Sequence, residues 1–166
     1  MARRGPGPEG GHCHPGEFSS LMGLPTTLDL ALTLQIALAG LLAGVIGWQR
    51  HQAGRPAGIR THALVAMASA IFTIAGIHGF SPSPSQEATR IAAQVVTGIG
   101  FLGAGTIFRA ENQVFGLTTA ATLWYSAALG ILVGAGLPWI AIFATVLALV
   151  TLVIIAWFEK PTPPRG

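Results

Sequence analysis

Residues 138–158 read PWIAIFATVLALVTLVIIAWF, a run that contains neither a charged residue nor a glycine. Pro138 is favoured in the first turn of a helix. Trp139 and Trp157 are eighteen residues apart, which is roughly 27 Å along a helix and close to the hydrocarbon thickness of a bilayer. Each tryptophan would therefore reach one membrane interface. This run predicts a membrane-crossing helix at the edge of a bundle, facing lipid.

Four earlier stretches of the chain have the same character and a length close to that of a bilayer span. They run over about 28–48, 62–79, 91–108 and 117–136. Apolar residues make up 51% of the chain and charged residues 9%, against about 25% charged in a typical soluble domain. We therefore predict an all-α polytopic membrane protein, a bundle of five transmembrane helices in a lipid bilayer. The basic residues are not clustered with aromatics, which argues against a nucleic-acid partner.

Positive charge falls mainly in alternate separators between the spans, and Arg90 is the exception. By the positive-inside rule this pattern predicts an amino terminus outside and a carboxyl terminus in the cytoplasm of a bacterial inner membrane. The residues that set it are Arg50, Arg55, Arg60, Arg109, Lys160 and Arg165.

The chain divides into three predicted parts: a disordered tail over 1–27, a transmembrane domain over 28–158 and a short cytoplasmic tail over 159–166. The first tail is rich in glycine and proline, and Met22 is an alternative start. It holds either a soft-metal site or chance ligands in a flexible segment. Those candidate ligands are His12, Cys13, His14 and Glu17.

Residues 94–112, QVVTGIGFLGAGTIFRAEN, contain a literal match to the dinucleotide-binding fingerprint G-x-G-x-x-G. A nucleotide site of that type requires a strand before the glycines and an acidic residue about twenty positions after them. Glu111 comes too early, and the next acidic residue is Glu159. The sequence therefore predicts no nucleotide partner and no bound cofactor.

On a helix, Gly98 and Gly105 fall on one face, and Gly100 and Gly103 fall on roughly the opposite face. Two glycine faces allow close approach from two sides, which suits a central helix of the bundle. The alternative is a local helix break whose free carbonyls bind an ion.

Two further spans carry small residues at helical spacing, which predicts a tight bundle and leaves surface for a homo-oligomer. In the first span these are Thr33, Ala37, Gly40, Gly44 and Gly47, and in the fourth Thr118, Thr122, Ser126, Gly130 and Gly134.

Ionisable and polar residues near the spans are candidates for an ion path or a polar site. Asp29 is predicted to share the stripe of Gly40 and to face the bundle, which makes it a candidate metal ligand. It also fits a capping box with Thr26, and the two roles are compatible. The other candidates, which membrane-interface anchoring or ordinary packing would also explain, are Gln49, Arg50, Arg60, His62, Arg90, Gln94 and Arg109, with Trp124 and Tyr125 as cavity-lining candidates.

The membrane portion contains no Ser-His-Asp set, carboxylate pair or Cys/His ligand cluster. The sequence therefore predicts a protein that is not an enzyme.

Three blocks, GVIGWQRHQAGRPAGIRTHALV (44–65), RIAAQVVTGIGFLGAGTIFR (90–109) and GLTTAATLWYSAALG (116–130), resemble in order and spacing the signature of the MgtC/SapB family. The resemblance covers roughly residues 30–158 and implies the short form, without a soluble carboxyl-terminal domain. The matching positions are Gly47, Arg50, Ala57, Gly58, Arg60, Thr61, His62, Arg90, Gln94, Gly98, Gly100, Phe101, Gly103, Gly105, Arg109, Gly116, Thr118, Thr119, Ala120, Ala121 and Trp124.

The resemblance implies an inner-membrane protein described as a magnesium transporter, from a family linked to growth at low magnesium and to virulence. Some members regulate other membrane machinery, including the ATP synthase, so a membrane-protein partner is the alternative expectation. Two positions depart from the family pattern: Gln49 stands where a glutamate is usual, and Phe115 where a basic residue is common. Since Mg²⁺ favours carboxylate oxygens, the amide at Gln49 removes one ligand. Mg²⁺ is thus expected only as a transported or sensed ion.

Overall fold

The computed structural model describes residues 27–79, 84–110 and 113–155. Within them, helices α1 (Thr27–Gln52), α2 (Ile59–His78) and α3 (Pro84–Gly105) precede a two-stranded hairpin, β1 (Phe108–Ala110) and β2 (Gln113–Phe115). Helices α4 (Leu117–Gly134) and α5 (Pro138–Val150) follow, and α5 continues into a π-helical turn over Thr151–Ile155. The fold of the described residues is all-α apart from the hairpin, as the sequence predicts.

Three helices, α1, α2 and α4, are long and apolar enough to cross a membrane, and the apolar helix over Pro138–Ile154 is shorter. The count of five spans and the orientation of the termini stay predictions. The predictions for the amino-terminal tail, the capping residue Thr26 and Trp157 concern residues outside the described part of the chain.

The core lies where α1, α2 and α4 meet, and α5 adds one side of it. It is built mainly from alanine and branched aliphatic side chains, because helices in lipid gain stability from close packing rather than from exclusion of water. Its buried members are Ala39, Leu42, Ala43, Ile46, Ala66, Ala70, Leu129, Val133 and Ala141.

Glycines set how closely these helices approach. A Cβ built on Gly40 would lie 2.8 Å from Cγ of Met67, and one on Gly47 would lie 2.8 Å from the carbonyl oxygen of Gly58. On α4, a Cβ on Gly134 would lie 2.8 Å from the carbonyl oxygen of Ala70. The predicted small-residue surfaces of the first and fourth spans are therefore packing surfaces, although Thr33, Ala37 and Thr118 are exposed.

The prediction that the glycine-rich third span is the central helix is wrong. Helix α3 packs on the outside of α2 and α4, and a Cβ on Gly98, Gly100 or Gly105 would meet nothing within 4 Å. Only Gly103 among these four faces a neighbour, with Ala120 at 3.6 Å from the built Cβ. The centre is occupied by α2 and α4, because the glycines of α4 bring those two helices together.

The third span also ends earlier than predicted. The chain leaves the helix at Gly105, where Thr106 donates its backbone N–H to the Gly103 carbonyl at 3.0 Å. The next residues form the hairpin, in which Phe108 stacks on Phe115 with ring centroids 5.4 Å apart. The apolar run up to Phe108 predicted that the third span continues to that residue. The structure instead ends the helix at Gly105 and places Phe108 in the hairpin.

Candidate functional site: a buried cationic cluster

Arg50 is a positively charged side chain that is buried in the described structure. It lies in the last turn of α1 and is only 5% exposed. Its Nη2 donates a hydrogen bond to Oγ1 of Thr119 at 3.2 Å, while its buried Nε has no hydrogen-bond partner. A buried guanidinium with an unused donor is costly and is a functional candidate in a membrane segment.

The hydroxyl that Arg50 contacts belongs to the first turn of α4. That helix begins after Gly116, which has no side chain and provides no capping hydrogen bond. The first N–H groups of a helix lack partners within it and carry the positive end of the helix dipole. The hydrogen bond to Thr119 thus holds the positive guanidinium of Arg50 beside the positive amino-terminal end of α4.

His62 is the second buried polar side chain of this cluster and is fully buried. Its Nδ1 lies 2.9 Å from the carbonyl oxygen of Gly58, and its Nε2 lies 3.1 Å from Oγ1 of Thr122. Because a carbonyl can only accept, Nδ1 carries a proton. The buried cluster is therefore Arg50, His62, Thr119 and Thr122, and that name is used for these four residues below.

The Thr122 hydroxyl has a single proton and two hydrogen-bonding neighbours, the carbonyl oxygen of Thr119 and Nε2 of His62. It donates to the carbonyl oxygen of Thr119 at 2.9 Å, and in that arrangement Nε2 of His62 must donate to Thr122, which makes the imidazole a cation. When the hydroxyl turns to His62 instead, the imidazole is neutral. The hydrogen-bond chain therefore accommodates both charge states of His62.

Charges around the buried cluster have one sign. Arg55 and His62 both lie within electrostatic range of Arg50. Asp29, the acidic residue whose side chain is described, lies at the other end of α1, roughly 31 Å away at helical rise. Within the described residues the cluster therefore suits an anion and repels a divalent cation.

The structure brings together only some of the polar candidates. Arg50 and His62 meet in the buried cluster, and Gln49 precedes Arg50 with a buried Oε1 that has no partner. Asp29, which the sequence predicts to face the bundle, is exposed in the first turn of α1, whereas the fully buried positions of that helix begin at Ala39; its role as a metal ligand stays a prediction. The remaining candidates are exposed and stand apart from the cluster: Arg60, Arg90, Gln94, Arg109 and Trp124.

Sequence reasoning placed Thr119 and Thr122 among motif or packing residues and missed them as hydrogen-bond partners of the cluster. Their spacing of three residues on α4 puts both hydroxyls on one face. Among the residues that the structure describes, no group of three or more His, Cys, Asp and Glu side chains could hold a metal ion. The proposed ligands of the amino-terminal tail lie outside that part.

Comparison with known proteins assigns the family. The model of the MgtC family matches residues 36–161. This chain belongs to the MgtC family. The membership confirms the resemblance carried by the three motif blocks and makes the chain a membrane protein with apolar helices.

Individual relatives support the assignment. The chain is 42% identical over 124 residues to YhiD of Escherichia coli K12, named as a candidate magnesium transporter, covering 72% of this chain and 58% of YhiD. It is 52% identical over 113 residues to protein MgtC of Brucella abortus, covering 67% and 45%. Protein SrpB of Synechococcus elongatus is 37% identical over 169 residues, covering 85% and 93%.

The chain thus spans about half the length of the YhiD and MgtC relatives. No solved structure matches the chain.

Replacing the hydroxyl that Arg50 contacts tests the energetics of the cluster. We expect Thr119→Val to lower the free energy of unfolding by about 1–3 kcal/mol, because it leaves a buried guanidinium without its hydrogen bond at nearly constant side-chain volume. Thermal unfolding in detergent measures the change. Thr118→Val, at the exposed neighbouring position, is the matched control and should change stability little; equal losses in the two variants would contradict the assignment.

Proposed function

We propose that this protein acts in bacterial magnesium homeostasis from within the inner membrane, as a multi-pass protein with its amino terminus outside. The observation that carries the proposal is the family match over most of the chain together with the 42% identity to a relative named for magnesium transport. The alternate placement of arginines between spans supports the orientation. No step of the proposal requires enzymatic chemistry.

Direct transport of Mg²⁺ is the first form of this function. Mg²⁺ keeps much of its hydration shell and uses one or two carboxylates in typical protein sites. Asp29 would receive the ion at one end of the bundle. Helix α3 runs unbroken through its glycines to Gly105, so its carbonyls are used within the helix. Because the positive charge of Arg50 would repel Mg²⁺, we expect such a path to run outside the α1–α2–α4 core.

Regulation of another membrane complex, for example the ATP synthase, is the second form. The observation that favours it is the set of open glycines of α3, with Gly98 and Gly105 on one face and Gly100 on roughly the opposite face, which no described residue covers. Glycine faces allow a foreign helix to approach closely. A second copy of this chain or a different membrane protein would fit such a face.

Ion flux into proteoliposomes separates the two forms. For a transporter we expect magnesium uptake above that of empty vesicles, detected by an enclosed Mg²⁺ indicator, and a loss of at least about tenfold in Asp29→Asn because a carboxylate ligand is replaced by an amide. Arg55→Gln, an exposed charge beyond the other end of α1, is the control. Uptake equal to that of empty vesicles, with Asp29→Asn unchanged, would eliminate transport.

A photo-crosslinking residue at Gly100 tests the regulatory form in native membranes. Crosslinks to a defined membrane complex would support it, and crosslinks to copies of this chain alone would favour a homo-oligomer instead. The same crosslinker at Ala68, an exposed position of α2, reports random lipid-phase collisions.

A further inference from the structure

An apolar groove runs along the bundle between α1, α4 and α5. It has a volume of about 240 Å³. One wall is Ile46 of α1, and the opposite walls come from α4 and from the end of α5 with its π-helical turn. The lining residues are Ile46, Thr118, Ala121, Thr122, Tyr125, Leu147, Ala148, Thr151 and Leu152.

The groove has a polar end and an apolar end. Thr118 and Thr151 lie at one end; Tyr125 lies about two helical turns deeper along α4, and Leu147 lies about one turn deeper along α5. The Thr151 hydroxyl donates to the carbonyl oxygen of Leu147 at 2.9 Å. Tyr125 does not offer its hydroxyl to the groove, because it donates to the carbonyl oxygen of Ala144 at 2.8 Å. The deeper part is therefore apolar.

The polar end of the groove reaches the buried cluster. Ile46 precedes Arg50 by four residues, so the two side chains lie on one face of α1. Thr118 and Thr122 flank Thr119, the hydroxyl that Arg50 contacts. The guanidinium of Arg50 is buried behind this end of the groove rather than lining it, and the uncapped first turn of α4 begins one residue before Thr118.

Two independent features at this end call for an anion with oxygen acceptors. The first is the buried guanidinium, which keeps a free donor and has no carboxylate beside it among the described residues. The second is the first turn of an eighteen-residue helix without a side-chain cap, whose N–H groups favour phosphate or carboxylate. Arginine suits phosphate geometry in particular.

We propose that this groove is a binding site for an anionic phospholipid. The headgroup phosphate lies beside the first N–H groups of α4 and is attracted by the positive charge of the buried Arg50, while one acyl chain occupies the groove down to Tyr125. An anionic lipid is selected over a zwitterionic one because its headgroup carries no cation to offset the charge of Arg50. The π-helical turn over Thr151–Ile155 shapes the outer wall, and π-helical turns are frequent at functional sites.

Lipid binding to the purified full-length protein tests the proposal without any magnesium measurement, so its outcome is separate from that of the proposed function. The protein is exchanged into detergent micelles and titrated with phosphatidylglycerol or phosphatidylcholine of equal chain length, and retained lipid is counted by native mass spectrometry. We expect at least about a tenfold preference for phosphatidylglycerol, and its loss in Arg50→Met, which removes the positive charge near the headgroup.

A second variant keeps the test valid if Arg50→Met fails to fold. Ala121→Phe fills the groove from an exposed position of α4 and leaves Arg50 in place. We expect it to lower phosphatidylglycerol retention at least about tenfold, whereas Ala68→Phe, an equally exposed substitution on α2 away from the groove, should not. Arg60→Gln is the matched control for charge, since Arg60 is exposed.

The contrary outcomes are distinct. Equal retention of both lipids by the wild-type protein, or an undiminished preference in Ala121→Phe, would overturn the site. Competition with inorganic phosphate tests whether the site binds free phosphate instead of a lipid headgroup. The lipid assignment is wrong if millimolar phosphate displaces phosphatidylglycerol completely and Ala121→Phe leaves phosphate binding intact. Persistence of bound phosphatidylglycerol under that competition supports it.

Discussion

Gly130→Ala should sharply reduce the amount of folded protein. A Cβ at this position would collide with the carbonyl oxygen of Ala66 and would lie 2.7 Å from Cβ of Ser69. Both neighbours belong to α2, whose backbone cannot move without separating the two central helices. Overpacking of a tight interface costs about 1–3 kcal/mol, and occasionally more; contact with backbone places this variant at the upper end of that range.

The matched control is Gly100→Ala on α3. The substitution is the same and the position is also inside a helix, but a Cβ there meets nothing within 4 Å. Since alanine is favoured over glycine in a helix by about 0.5–1 kcal/mol, we expect Gly100→Ala to be neutral or stabilising. Size-exclusion profiles after stepwise heating in detergent give both values. A loss in Gly100→Ala as large as in Gly130→Ala would mean that α3 is covered in the assembled protein.

Gly116→Ala should be the second strongly destabilising change. Gly116 links the hairpin to α4 and has a φ of +88°, in the left-handed region that L-residues with a Cβ rarely adopt. Holding alanine there costs about 1–3 kcal/mol. The new methyl group would also collide with the carbonyl oxygen of Thr106 and lie 3.2 Å from Cα of Ile107.

Gly54→Ala separates the cost of a positive φ from the cost of the collision. Gly54 also has a positive φ, +67°, but its built Cβ meets nothing within 4 Å. We therefore expect Gly54→Ala to show the conformational cost alone and Gly116→Ala to show that cost plus the collision. Thermal unfolding of both variants in the same detergent measures the difference, and equal shifts would show that the contact with Thr106 is relieved by movement of the hairpin.

The buried cluster shows how far the sequence could be read. Arg50 and His62 were recognisable as candidates, because ionisable side chains near membrane spans are rare. Their partners Thr119 and Thr122 were not, because threonines at helical spacing are equally typical of packing surfaces. Asp29 is exposed, since its stripe on α1 extends beyond the buried part of the helix, which begins at Ala39.

For the glycine-rich third span, the sequence predicted helix contacts that the structure does not show. Its motif was sufficient to recognise the family, and the absence of an acidic residue about twenty positions after the glycines predicts that it binds no nucleotide. The sequence of a glycine face, however, is the same whether or not another helix packs against it. Only the packing of α2 against α4 revealed that Gly98, Gly100 and Gly105 lie on the outside.

The sequence alone determined the properties that depend on local composition and order. Long apolar runs without charges specify helices in lipid, the separators carry the charge, and the motif blocks specify the MgtC family. The tertiary structure decided which helices are central and which polar atoms meet. Contacts such as that of Arg50 with Thr119 join residues 69 positions apart, and helical periodicity describes each helix without describing its neighbour. The buried cationic cluster, the groove beside it and the uncovered glycines of α3 follow from that three-dimensional arrangement.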